Sequence, residues 1–438
     1  MNYLKVGLFI FILGIMSACN KKQIANIDEA ALIHKNLGVL TKVIIYDGFT
    51  PPVAARIYGY TSLATYETIR FKDPKYLSIT SQLKKFGNSA QPSKNKRYDF
   101  TLAATKAYFT VAKKLIFSID TIKKYEYEVY AQYKDNLDRD VYERSINFGE
   151  QVAAYIIKRS KQDNYLSTRA APKFLGSMDP GQWHPSPPDY MDGVEVYWDK
   201  LVTFSIDSSA QFPPPVPPPY SKSDKSLYIK QIKEVYQINK HLTPGQKEIA
   251  KFWDDNPFVI AHSGHMTYAQ KKITPGGHWM GITTIACKQT NADAVKTAQA
   301  YAMASIAIYD AFICSWYQKY KYNYNRPVNE INWLIDSNWL PFLQTPPYPE
   351  YTAGHPTISR ATSIILTHLF GDNFSYQDTS ELKYIGLQRH FDSFLKASEE
   401  TTISRVYGGI HYKNTVDISA LQGKKIGDYI WGHIRLTR

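Results

Sequence analysis

Five side chains between positions 319 and 411 carry the chemistry this sequence can offer: Lys319, Arg326, His355, Arg405 and His411. Lys319 lies near the end of a long helical pattern, and Pro327 redirects the chain directly after Arg326. Two cations at a helix end are most often a solvated face that favours the C-terminal dipole. Gly354 and His355 stand immediately before Pro356, a residue suited to a first helical turn. A helix start offers unpaired N–H groups and a positive dipole end, so an oxyanion can dock there. Gly354 lets the backbone approach such an anion, and His355 can exchange a proton near neutral pH. Arg405 and His411 are six positions apart and share no regular helix face, but Gly408 and Gly409 between them permit a turn that aims both inward. Each segment alone reads as a cap or a surface. Together they describe an anion pocket with forked guanidinium donors and two imidazoles.

Helices must position these groups. Apolar residues recur at three- and four-residue steps over 52–70, 98–119, 125–133 and 142–159. Further helices are expected over 226–240, from Thr243 and Pro244 through Phe252, and over 292–322, 356–370, 382–402 and 418–434. Residues 82–97 read as an exposed polar loop. Between 170 and 221 the periodicity stops, and proline at the density of Pro213–Pro215 and Pro217–Pro219 cannot be helix interior. The interleaved aromatics suggest a loop packed across the surface. The division is 1–19 as an export signal, 20–169 as an N-terminal helical half, 170–225 as a Pro/aromatic connector and 226–438 as a C-terminal helical half carrying the site. The expected fold is all-α, two helical bundles side by side with long proline-rich surface loops.

The chain has 438 residues, 34 tyrosines and a net charge of +13. That charge suits small anions or anionic headgroups. The lysines are scattered and no nucleic-acid motif is present, so nucleic acid is not an expected partner. A basic start, an apolar run over 6–16, then Ser17, Ala18 and Cys19 resemble a bacterial lipoprotein signal, with Cys19 as the lipidated residue. The expected location is therefore the cell envelope, held to the membrane by a lipid anchor alone. Cys287 and Cys314 sit in apolar helical contexts and read as buried thiols. His262, His265 and His278 form no recognised zinc arrangement.

In order and spacing the three segments resemble the signature shared by vanadium-dependent haloperoxidases and type-2 phosphatidic acid phosphatases. The matching residues are Lys319 with Arg326 and Pro327; Ala353, Gly354 and His355; and Ser404 and Arg405 with His411. Ala353 replaces an expected Ser, and Thr415 stands where many members carry an Asp that orients the histidine; Asp417 is off register. Resemblance to bacterial haloperoxidases extends to 182–188, 204–219, 252–257, 276–279 and 345–355, and the phosphatases usually lack the N-terminal half.

The resemblance implies a vanadate cofactor, in a site that phosphate can also occupy. It makes His411 the single protein ligand, with Lys319, Arg326, Arg405 and the Gly354 N–H balancing the oxygens. His355 would move the proton and Lys319 would polarise the peroxide. Hydrogen peroxide and a halide are the implied substrates, iodide or bromide before chloride, with small organic acceptors downstream. Trp316, Tyr348 and Ala353 are candidates for a halide pocket, although aromatics at these positions serve core packing equally well. Two other readings are an acid phosphatase using a phosphohistidine at His411 and an inactive surface lipoprotein.

Overall fold

A computed structural model of the chain describes residues 27–257, 259–263, 265–269 and 272–438, with the hairpin 260–269 described by its backbone and His265 alone. The export signal and Cys19 lie outside the described residues, as does the His262 side chain. No described helix is long and apolar enough to cross a membrane.

The N-terminal half holds α1 (Glu29–Asp47), α2 (Pro51–Ile69), α3 (Phe100–Ala112), α4 (Ile119–Asn136), α5 (Arg139–Ser160) and the short α6 (Tyr165–Arg169). Asp28, Thr50 and Asp99 cap the first three of these by accepting an N–H of the first turn. Every residue of α2 is buried, so this helix runs through the interior. Its charged residues are matched there. Arg56 pairs with Asp163 at 2.7 Å, and Glu67 accepts from Arg70, Ser78 and the Thr80 N–H.

The C-terminal half holds α7 (Leu227–Lys240), α8 (Pro244–Phe252), α9 (Pro275–Gln289), α10 (Ala294–Tyr322), α11 (Pro327–Leu334), α12 (Gly354–Phe370), α13 (Leu382–Ile385), α14 (Phe394–Tyr407) and α15 (Lys413–His433). Two small antiparallel hairpins interrupt it: β1 (Ile260–Ser263) with β2 (Met266–Ala269), and β3 (Tyr376–Asp378) with β4 (Arg389–Phe391). The two bundles lie side by side with α2 against α10, and one continuous apolar core crosses that seam. In the C-terminal bundle α12 packs on α10, α14 and α15.

The expected helix over 382–402 is not one helix. It breaks at Gly386, which takes the left-handed conformation at φ 72°, and 389–391 pairs with β3 before α14 begins. The helix expected from Pro356 starts two residues earlier, which places Gly354 and His355 in its first turn. The pattern also passed over α1, where His34, Lys35 and Asn36 interrupt the apolar steps, and α9, whose Gly276 and Gly277 are poor helix formers. Burial against α2 and α10 outweighs propensity there.

The connector is packed, as its aromatics suggest. Trp183, Trp198 and Phe204 are fully buried. Three consecutive N–H groups, of Phe204, Ser205 and Ile206, donate to the Asp310 carboxylate on α10 at 2.7, 2.8 and 3.1 Å. The proline run serves through its carbonyls: Pro215 accepts from the Tyr351 hydroxyl and Pro218 from Tyr324. Cys287 and Cys314 are buried free thiols.

Candidate active site

Six segments converge on one buried cleft. Lys319 comes from the last turn of α10, and Arg326 is the N-cap of α11 with Pro327 at its first position. Gly354 and His355 open α12. Arg405 lies in the last turn of α14, after which Gly408 and Gly409 turn the chain to present His411 just before α15. Gly409 sits at φ 75°, a conformation that disfavours any side chain, so the tight turn expected from the glycine pair is real. Asp255, from the segment after α8, completes the ring. The structure therefore brings Lys319, Arg326, Gly354, His355, Arg405 and His411 together, and all are buried.

Backbone carbonyls fix the cations. Lys319 Nζ donates to the carbonyls of Pro349 and Glu350 at 2.8 and 3.2 Å, leaving its third N–H unspent. Arg326 Nε donates to the Tyr348 carbonyl at 2.8 Å, and its Nη1 reaches the Ile410 carbonyl at 2.8 Å and His411 Nε2 at 3.1 Å. Its Nη2 is buried with no partner. Arg405 donates to the Ser404 hydroxyl at 3.0 Å and to the Trp253 carbonyl. Burial, and Arg326 beside it, hold the Lys319 ammonium well below its ordinary range, and burial lowers Arg326 and Arg405 as well. Three cations forced into one dry space call for an anion.

The histidines differ in their support. His411 Nδ1 is 2.8 Å from Glu350 Oε1, so its N–H points there, and the Nε2 lone pair at the cleft accepts from Arg326 Nη1 at 3.1 Å. Glu350 is further held by the Tyr412 N–H at 3.1 Å and the Thr415 hydroxyl at 2.9 Å. Burial, followed by Arg326 and Lys319, pushes His411 well below its usual range and keeps it neutral. His355 Nε2 stands 3.2 Å from Asp255 Oδ2 without a hydrogen-bonding angle. Burial takes this imidazole down to about 4 against the opposing pull of Asp255.

Thr415 thus corrects an expectation. The group that orients His411 is not missing; it is Glu350, contributed by the loop before α12, and Thr415 hydrogen-bonds to it. Asp417 pairs with Lys413 at the surface. Glu350 was marked only by the similarity of the segment 345–355, since 61 positions separate it from His411 and only the fold joins them. Asp255 was marked only by the similarity of its segment.

Of the candidate halide residues, Trp316 and Tyr348 line the cleft, their rings 4.9 Å apart and tilted. Ala353 does not. It is fully buried behind the cleft with Val406 and Val416, its N–H donating to Ser419. Tyr351 points away to Pro215. His278 is buried among carboxylates and His265 is exposed on its hairpin, so they form no cluster with each other.

The free space is about 30 Å³, room for one or two waters or a small anion and too little for an organic molecule. Pro51 of α2 joins Pro275 and Pro346 along its lining, so the N-terminal half also touches the site. The donor set fits vanadate. Arg405, His411 and the helix start at Gly354 line the cleft, Arg326 with its buried, unpartnered Nη2 stands directly beside His411, and Gly354 leaves a cradle in which a Cβ would press on Trp316 at 3.1 Å.

Comparison with known proteins decides the family. A bacterial vanadium-dependent iodoperoxidase of known crystal structure is 40% identical, with a TM-score of 0.88 over 93% of this chain and 97% of that one. The chain belongs to the vanadium-dependent haloperoxidases. The family described as VCPO second helical-bundle domain matches residues 299–338 and 333–437, a span that contains all five signature residues. Holo and apo crystal structures of a bacterial vanadium-dependent chloroperoxidase share the haloperoxidase fold, with TM-scores of 0.66 at 18% and 16% identity over 88% of this chain and 95% of theirs. No curated protein matches the chain.

Proposed function

We propose that this haloperoxidase uses vanadate and hydrogen peroxide to oxidise iodide in preference to bromide, with chloride least favoured. One observation carries the reading. His411, neutral and locked by Glu350, presents Nε2 to a buried ring of Lys319, Arg326 and Arg405. The iodoperoxidase relative supports the halide order.

When bound, vanadate supplies the Lewis acidity that makes peroxide oxygen electrophilic towards halide. The residues do the rest. His411 Nε2 would hold the cofactor, and Arg326 and Arg405, fixed by their bonds to backbone carbonyls, would balance its charge with the donors they have left. The free N–H of Lys319 is placed to polarise the peroxide. His355, neutral at rest, would take a proton from peroxide and hand it to the departing oxygen. The O–O bond breaks as the halogen–oxygen bond forms. Halide is oxidised, peroxide is reduced, and one proton is taken up for each hypohalous acid and water released. Because the cleft admits only small molecules, any organic acceptor meets the oxidant outside it.

Iodide and bromide oxidation by protein lacking residues 1–19, before and after vanadate loading, tests this. Vanadate-dependent iodide turnover that is lost in His411→Ala is expected. Hydrolysis of p-nitrophenyl phosphate without halide turnover would replace it with the phosphatase reading. The proposal extends to location: Ser17, Ala18 and Cys19 after the apolar run support export and lipidation. Full-length chain in bacteria should take up labelled palmitate, and Cys19→Ser should not.

A further inference from the structure

Behind the active site lies a second buried constellation. Asp255, His278, Asp378 and Glu381 come from the segment after α8, from α9, from β3 and from the approach to α13, and each is at most 2% exposed. His278 is their centre. Its Nδ1 is 3.1 and 3.2 Å from the two Asp255 oxygens and 3.8 Å from Glu381 Oε1. Its Nε2 is 3.0 Å from Asp378 Oδ2. Glu381 Oε1 is buried and has no hydrogen-bond partner, although it is aimed at the same point as Asp255 and His278.

From this geometry we infer that Asp255, His278 and Glu381 form a binding site for one divalent transition-metal cation, manganese(II) or zinc(II). One donor atom from each lies within 4.8 Å of the others. Metal bonds of about 2.0–2.2 Å place neighbouring tetrahedral donors about 3.2–3.6 Å apart; Asp255 already stands at 3.1–3.2 Å from His278 Nδ1, and Glu381 Oε1, at 3.8 Å, would have to move in by a few tenths of an ångström. Both ring nitrogens hydrogen-bond to carboxylates, Nδ1 to Asp255 and Nε2 to Asp378; a cation would take the place of the Nδ1 proton while the Nε2–H stays on Asp378, the arrangement by which a carboxylate behind a histidine orients a metal ligand. Asp378 is held for that role by the Ser380 N–H at 2.9 Å. The adjacent Lys272 is engaged by Asp254 and does not fill the site. A mixed imidazole and carboxylate set suits borderline cations over calcium or magnesium. The Trp253 ring, stacked on His278 at 4.5 Å, closes one side.

Such a cation would brace α9 against the β3–α13 segment and hold Asp255, whose other face meets His355. The full chain, dialysed against EDTA, is titrated calorimetrically with MnCl₂ and ZnCl₂, and metal and vanadium are counted by mass spectrometry on the same samples. One equivalent of either cation per chain is expected. Glu381→Gln, nearly isosteric, should lose it, and Asp378→Asn should bind about 10–100-fold more weakly. His411→Ala, which removes the vanadate ligand, should keep it, so this site and the haloperoxidase reading stand or fall separately. Less than a tenth of an equivalent in the native chain, an equal affinity in Glu381→Gln, or uptake of calcium or magnesium alone overturns the assignment.

Discussion

Glu350 shows where side-chain chemistry was and was not legible. The cations and histidines announce themselves by type and fixed spacing, because each short motif is a helix end or turn whose local geometry is nearly constant. The carboxylate behind His411 has no such spacing, and its contact exists only once the loop after α11 folds over α15. Ala353 misled for a similar reason: its neighbours in sequence line the cleft while its own side chain turns into the core. Since Glu350 orients His411 and its charge also acts on Lys319 and Arg326, Glu350→Ala should weaken vanadate binding about 10–100-fold, with Glu350→Gln intermediate. Calorimetric vanadate titration reads this directly. An unchanged affinity in Glu350→Ala would mean that Arg326 alone orients the ring.

The site elements are held at close range by small residues. Where α15 crosses α12, a Cβ on Gly423 would lie 2.2 Å from the Thr357 carbonyl oxygen, and one on Gly427 would lie 2.8 Å from that of Ala361. Both helices carry site groups at their starts: His355 on α12, and on α15 Thr415 and Ser419, the latter accepting the Ala353 N–H at 2.8 Å. Gly423→Ala should therefore push the helices apart, costing about 1–3 kcal/mol. It should also lower iodide turnover in the vanadate-loaded enzyme. Urea denaturation alongside the halide assay checks both, and a native midpoint would show that the crossing yields. Long helices were legible because a 3.6-residue period repeats several times within them. The hairpin of β3 and β4 was not, since three-residue strands carry too little pattern and their pairing is set by Tyr376 and Phe391 entering the core.

Over the whole molecule, the two bundles share a core, and the seam has its own titration. His34 on α1 meets the Tyr301 hydroxyl of α10 at 2.5 Å, and burial, with Lys288 nearby, lowers its pKa to about 4. An unfolded histidine takes up its proton near 6.5, so between 6.5 and 4 the unfolded chain holds one proton more. Stability from this group is present above that window and is lost as pH falls through it, by up to about 1.4 kcal/mol per pH unit. His34→Gln removes the slope. Melting curves of the two proteins should converge or cross in favour of the variant from pH 7 to pH 4.5, and a constant offset would refute the assignment. The connector is bound to both bundles. Arg159 on α5 donates to the carbonyls of Val202 and Thr203, while the Val194 carbonyl accepts from Trp316 and Tyr320 on α10. Genetic exchange between relatives meets a barrier here. A crossover before the connector parts it from Arg159, one after it parts it from α10, and one within it parts it from itself. A half exchanged with that of a relative would keep its fold only if the connector's partners on α5 and α10 came with it.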